Sequence, residues 1–386
     1  MAPAFSVVNS VTEVPAAAWD ALIGDDDPFL EHAFLAALER SKSVGRRAGW
    51  QPRFVLAHEG PVLVGAVPLY LKHNSYGEFI FDWAWANGAL RAGLPYYPKL
   101  VAAVPFTPVT GSRLLVQREA APGPVRAALI EGMRAVAEEE GASSIHVLFC
   151  TEDETAALRQ AGYKPRLTMQ FHWVNRTPPY RDFEDFLGAF RSRNRKQVRK
   201  ERAVAAGHGL RLATLEGPAL GPREWQALER LYDVNADKHG SPTYLTPQFF
   251  AILREELAHR VVATLAYRDD VPVAGTLNFE RGRHVYGRYW GCVEEHPMLH
   301  FELCYYRLIE RAIERGHLRF EAGAQGEHKL KRGLDPSFTH SAHWIRDRDF
   351  ARAVDRFVDN ESLMVREEVS QYQALSPYRR GEDPEP

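Results

Sequence analysis

Two stretches far apart in this chain read alike, and no other feature restricts its fold as much. Residues 53–71, RFVLAHEGPVLVGAVPLYL, form an apolar run, a Glu-Gly turn and a second run holding Gly65. Residues 261–280, VVATLAYRDDVPVAGTLNFE, repeat the pattern with an Asp-Asp turn and with Gly275 in the second run. Overlaid with one residue of difference in the turn, Ala57 meets Ala266 and Gly65 meets Gly275. Each stretch is a hairpin signal. The likeness continues downstream. A helix over 123–140, closed by Gly141, precedes the strand SSIHVLF, and a helix over 299–315, closed by Gly316, precedes the strand HLRFEA. Glycine just past the last turn supplies a left-handed cap in both places. The chain therefore reads as a duplicated α/β unit, α+β with mixed sheets, and its 386 residues leave room for two domains. The period is too long for a solenoid. Pro178-Pro179 in NRTPPYRD marks the boundary, giving a first domain over 1–177 and a second over 178–375 that carries a basic helical insertion. The tail 376–386, SPYRRGEDPEP, is charged and proline-rich and is expected to be disordered.

Composition narrows the partners. A formal charge of −2 gives no global field for nucleic acid, so no DNA partner is expected and any RNA contact has to be local. Three cysteines without C-x-x-C spacing give neither a disulfide framework nor a cysteine metal site and suit a reducing compartment. The start, MAPAFSVVNSVTEVP, lacks a basic segment and a long apolar core, and no run approaches eighteen apolar residues. The expected location is the cytoplasm, with peripheral contact at the inner membrane left open.

Three stretches carry chemistry. In EAGAQGEHKLKRG, 321–333, an apolar strand runs into two glycines and then a dense set of ionisable groups. If a helix opens at Glu327, the backbone N–H groups of Gly323 to Gly326 face an anion, and Lys329 and Arg332 add charge on one helical face. Glu321 or His328 can pass a proton, histidine being nearest to neutrality. A solvated surface helix would carry the same charges. Residues 75–113 are richer than a core requires, with Tyr76, Asp82, Trp83, Tyr96, Tyr97 and Lys99 among prolines and glycines. Long irregular segments of this kind are often binding loops, and Trp83 is expected to raise the pKa of Asp82. The run RSRNRKQVRKER would, on a helix, set Arg191, Arg195, Arg199 and Arg202 in one stripe and Arg193, Lys196 and Lys200 in another. Basic helices bind tRNA, anionic membranes or a carrier's phosphates. His296 and His300 have metal-ligand spacing, but Pro297 disrupts a helical turn spanning them, and no metal is expected. No Walker A, G-x-G-x-x-G or G-x-S-x-G occurs.

The segments 72–115, 190–212 (FRSRNRKQVRKERAVAAGHGLRL) and 320–336 (FEAGAQGEHKLKRGLDP), with the duplicated unit, resemble the FemAB-like branch of the acyl-CoA N-acyltransferase (GNAT) superfamily. More narrowly they resemble a bacterial group of predicted N-acyltransferases or peptidoglycan biosynthesis proteins. The resemblance implies two tandem GNAT-like domains over nearly the whole chain. It also implies transfer of an acyl group, from acyl-CoA or another thioester, to an amine of the cell envelope, a lipid or a metabolite. The donor is then a co-substrate, with no tightly bound cofactor. On this reading His328, Glu321, Lys329 and Asp82 are the catalytic candidates. Gly323, Gly326, Arg332 and Arg288 hold the donor, and Tyr76, Trp83, Tyr96, Tyr97 and Lys99 hold the acceptor. Two alternatives remain: aminoacyl-tRNA-dependent transfer to a peptidoglycan precursor, and a non-catalytic module binding an envelope glycan or anionic lipid. Fem-type transferases carry F-K-x-x-F-G near the equivalent last strand. Here His328 to Gly333 keeps the lysine and the glycine and replaces both aromatics.

Overall fold

The computed structural model describes residues 3–238, 240, 242–324 and 326–379. The chain divides into two compact units, residues up to Met169 with Phe338–Glu367, and Gln170–Ser337 with the residues from Glu368 onward. This differs from a single cut at 177/178. The strand Asp335–Ile345 carries the chain from the second unit back to the first, and the long helix Arg348–Ala374 carries it on into the second again, a return that no local composition signals.

In the first unit Ala4–Val8, Phe54–Glu59, Val62–Val67 and Leu115–Val116 pair antiparallel in that order. Leu69–Lys72 continues the third of these strands beyond Pro68 and pairs with Lys99–Ala102. That strand in turn lies parallel to Ser144–Cys150. A parallel neighbour needs a crossover, and the helix Pro122–Glu139 supplies it. Val125, Leu129, Met133 and Val136 recur every three or four residues along this helix and bury one face against Val55, Leu69, Leu100 and Ile145.

The second unit repeats the order. Arg211–Glu216, Val261–Arg268, Val271–Arg281 and His284–Cys292 pair antiparallel. A helical segment from Leu299 to Glu314 then leads to Arg319–Glu321, which lies parallel to His284–Tyr286. Both hairpins expected from sequence are present, and each holds a β-bulge at the equivalent step, between Ala57 and His58 and between Ala266 and Tyr267. An extra residue there bends the strand and strengthens its twist, so the two copies share an irregularity as well as an order. The architecture is mixed α/β, with the same order of elements in both units.

The expected disorder of 376–386 does not hold for its first part. Tyr378 is buried, its hydroxyl donates to the Gly333 carbonyl at 2.8 Å, and the Arg191 N–H donates to the Pro377 carbonyl. Residues 380–386 lie outside the described residues. Among the described residues no helix is long and apolar enough to cross a membrane.

Candidate functional site

The second unit's parallel strands pair over three residues only, His284 with Arg319, Val285 with Phe320 and Tyr286 with Glu321. Beyond that point they part. One strand runs on to Cys292, held on its far side by Val271–Arg281, while the other turns through Gly323 and Gly326, both at positive φ. A cavity of about 100 Å³ opens in the wedge, with Asn278, Arg288, Trp290, His300, Tyr305 and Ala322 in its wall. A turn of π-helix over Glu302–Tyr306 faces it. Such a turn frees a carbonyl from the helical ladder, and here Thr264 Oγ1 donates to the freed Leu303 carbonyl at 2.9 Å.

The residues expected in 321–333 occupy different environments. Lys329 is buried at 2% exposure, and its ammonium donates to the Gly323 carbonyl at 2.9 Å. Burial lowers its pKa to about 8, with Cys304 of the cavity wall acting the other way. His328 is exposed and shares a 3.0 Å hydrogen bond with the Tyr305 hydroxyl; burial of its ring, then Arg332 and Lys329, pull its pKa down. Gly326 sits at φ +119°, where side-chain-bearing residues are strained, and a Cβ there would also stand 2.6 Å from the His328 ring. Glu321 is buried on strand Arg319–Glu321, 3.3 Å from Arg319 and 3.8 Å from His172. Strand alternation turns it away from the face on which Ala322 lines the wedge.

Two expectations for this stretch are corrected. The helix after Gly326 is a six-residue 3₁₀ segment, Glu327–Arg332, which forms no extended N-terminal anion site. Arg332 is already paired: it holds Glu201 through two bonds of 2.9 and 3.1 Å, and it lies 3.4 Å over the Phe301 ring. Its charge is balanced inside the protein rather than offered to a carrier.

The basic run forms the helix Ser192–Ala206, and the two stripes have different fates. Arg191 and Arg195 bond the carbonyls of Tyr378 and Phe190, Arg199 pairs with Glu184, and Arg202 reaches Glu302 and Glu310 at 3.0 and 3.1 Å. That stripe anchors the helix. Arg193, Lys196 and Lys200 are exposed and carry no ion pair among the described residues. Arg193 also lines a groove of about 860 Å³ with His328, Lys331 and Tyr372.

In the first unit the expected residues form a buried ionic cluster. Lys72 and Lys99 are cross-strand neighbours, both fully buried. The Lys99 ammonium donates to Ser75 and Glu78 at 2.8 Å and to Asp82, which also accepts from the Tyr96 hydroxyl at 2.5 Å. Tyr97 shares a hydrogen bond of 2.9 Å with Ser75. Burial pushes the Asp82 carboxyl up, but Lys99 and His146 outweigh it and hold the carboxyl well below the ordinary range. This reverses the expectation that Trp83 would raise it, because Trp83 is 39% exposed and packs on the exposed Tyr76 instead. Burial also takes Lys72 down to about 7.

The 328–332 group thus lies in the second unit and the 82–99 group in the first. Of the expected residues, Arg288 reaches the wedge wall itself, Lys329 stands beside it, and His328 meets it through Tyr305. His296 sits on Glu294 at 3.2 Å, whereas His300 packs among Trp290, Phe301 and Tyr305. Sequence reading missed Asn278, Thr276, Tyr305 and Glu201. Asn278, Thr276 and Tyr305 lie on elements whose pattern reads as ordinary core, Glu201 is a lone acid within the basic run, and no spacing rule links them.

A family model described as FemAB-like, peptidoglycan biosynthesis/recognition, matches residues 10–380. No curated protein sequence matches the chain. Among solved structures, FemX is 13% identical with a TM-score of 0.53, the match covering 91% of this chain and 100% of that one. L-PGS from Bacillus licheniformis is 12% identical with a TM-score of 0.50, covering 87% and 98%. At such identities these likenesses speak for the fold, and they span both units. With the family match running over nearly the whole length, the chain belongs to the FemAB-like family of peptidoglycan biosynthesis and recognition.

Proposed function

We propose that the chain is a transferase that moves an aminoacyl group from a phosphate-bearing carrier, an aminoacyl-tRNA, to an amine of a peptidoglycan precursor. The observation that supports it is the wedge where the second unit's parallel strands part, with a buried lysine of pKa about 8 beside it. The family's description, peptidoglycan biosynthesis and recognition, supports an acceptor of that class. The exposed stripe of Arg193, Lys196 and Lys200 suits a carrier's phosphates.

In this reading the donor carbonyl sits at the mouth of the wedge. The acceptor amine attacks it, a C–N bond forms, the ester C–O bond breaks, and the amine's proton ends on the departing ribose oxygen. A lysine near neutrality can hold that proton in transit or, when charged, stabilise the developing oxyanion. The donor is a co-substrate, and no tightly bound cofactor takes part.

One observation favours an acyl thioester such as acyl-CoA instead: His328 and Arg332 stand where Fem-type transferases carry aromatics. The deciding experiment incubates the protein with labelled aminoacyl-tRNAs, acyl-CoAs and a peptidoglycan precursor bearing a free amine. Amide product from aminoacyl-tRNA supports the proposal, and product from acyl-CoA alone moves the function to the second reading. No product from either refutes both and leaves the non-catalytic binding module.

A further inference from the structure

We infer that Asn278 is a specificity-determining residue of the wedge, whose side-chain oxygen accepts a hydrogen bond from an N–H or O–H on the small group carried into it. The inference rests on the transfer reading and adds what that reading leaves open, namely which feature of the transferred group is recognised.

The argument starts at the π-helical turn. The Leu303 carbonyl can only accept, so the Thr264 hydroxyl spends its one proton there, at 2.9 Å. Thr264 Oγ1 must then accept from Thr276, 2.6 Å away, which commits the Thr276 proton as well. Thr276 Oγ1 is left to accept, and Asn278 Nδ2 donates to it at 2.7 Å. The second proton of Nδ2 goes to the Val262 carbonyl at 2.9 Å. Turning the amide over would set Oδ1 against two atoms that have no proton to give. The hydrogen-bond chain therefore fixes the amide, a choice the heavy-atom positions alone leave free.

With Nδ2 satisfied on both protons, Oδ1 is the polar atom of Asn278 left for the cavity it lines. The residue is 1% exposed, and Oδ1 has no protein partner among the described residues. The neighbouring strand bulges at this step: Leu277 pairs with Tyr289 and Asn278 with Gly287, which leaves Arg288, another residue of the cavity wall, as the extra residue beside Asn278. An oriented, desolvated acceptor discriminates strongly, because a ligand without a donor leaves it unpaired. Size points the same way. The cavity of about 100 Å³ holds roughly three or four heavy atoms at about 30 Å³ each. That space suits the α-carbon substituents of a small 2-amino or 2-hydroxy acyl group.

The test reads binding without turnover, by ligand-observed NMR on the full chain with three small amides of one shape. Alaninamide, lactamide and isobutyramide carry an amine, a hydroxyl and a methyl at the same carbon. Alaninamide and lactamide are expected to bind about tenfold or more tighter than isobutyramide. Asn278→Leu should erase the preference. Equal binding of all three to the unsubstituted protein, no binding by any, or a preference that survives Asn278→Leu overturns the inference. If Asn278→Leu does not fold, the comparison on the unsubstituted protein decides alone. Discrimination without transfer activity would count against the transfer reading only, and transfer without discrimination against the role of Asn278 only.

Discussion

Replacing Lys329 with methionine should make the protein more stable at neutral pH while removing its activity. Lys329 is 2% exposed, and its pKa falls from 10.5 to about 8 through burial. A shift of that size corresponds to about 3 kcal/mol. The sign follows from proton counting: between the two pKa values the unfolded chain binds more protons than the folded one, so stability rises with pH across that window. Below about pH 8 the folded state carries the full penalty, and by pH 10 less than about 1 kcal/mol of it is left. Lys329→Met removes the charge at similar volume and forfeits the bond to the Gly323 carbonyl, worth about 1 kcal/mol. The net expectation is a gain of about 2 kcal/mol at pH 7 that shrinks to nothing or reverses by pH 10. Urea unfolding of both proteins at pH 7 and pH 10, followed by tryptophan fluorescence, measures the difference. A methionine variant less stable than its parent at pH 7 would refute the reasoning, since the buried ammonium would then be a net stabiliser. On the transfer reading, which gives this group the proton or the oxyanion, activity should fall at least tenfold in the same variant.

Two further outcomes are expected. Replacing Arg193, Lys196 and Lys200 together with alanine should weaken RNA binding and reduce its logarithmic salt dependence by roughly two to three, without loss of thermal stability; an unchanged salt slope in a filter-binding assay would remove these residues from the carrier site. Lys99→Met leaves Glu78 and Asp82 buried with too few cations and should destabilise the fold by about 3–5 kcal/mol in chemical unfolding; a loss under about 1 kcal/mol would show that the cluster adjusts its protonation instead.

What the sequence disclosed follows from the range of the forces involved. The hairpins were legible because turn chemistry and two-residue alternation are local, and even the shared bulges fall at the paired residues Ala57 and Ala266. Both stripes of the basic helix were legible too, since helical spacing sets them. Which stripe is free was not, because the partners Glu302 and Glu310 lie 100 and 108 residues from Arg202. Arg332 read as a ligand contact for the same reason, Glu201 being 131 residues away. Asp82 reads by its chain neighbour Trp83, whereas the cation that governs it comes from the strand Lys99–Ala102. The wedge itself depends on where two strands stop pairing, and no residue type marks that point.

The division of the chain has a consequence for its synthesis. The first unit's strand Ser144–Cys150 takes residues 340–345 as its partner. Between Met169 and Phe338 the ribosome must first make the intervening part of the second unit, residues 170–337. At about 5–20 residues per second that interval lasts roughly ten to thirty seconds. Throughout it one side of a buried apolar strand stands unpaired, an edge of the kind that recruits foreign strands. The second unit waits in its turn for Tyr378, which closes on Gly333 near the end of the described chain. Neither unit is complete while the nascent chain is short, so a premature stop between residues 170 and 367 leaves two defective folds rather than one sound domain and a fragment.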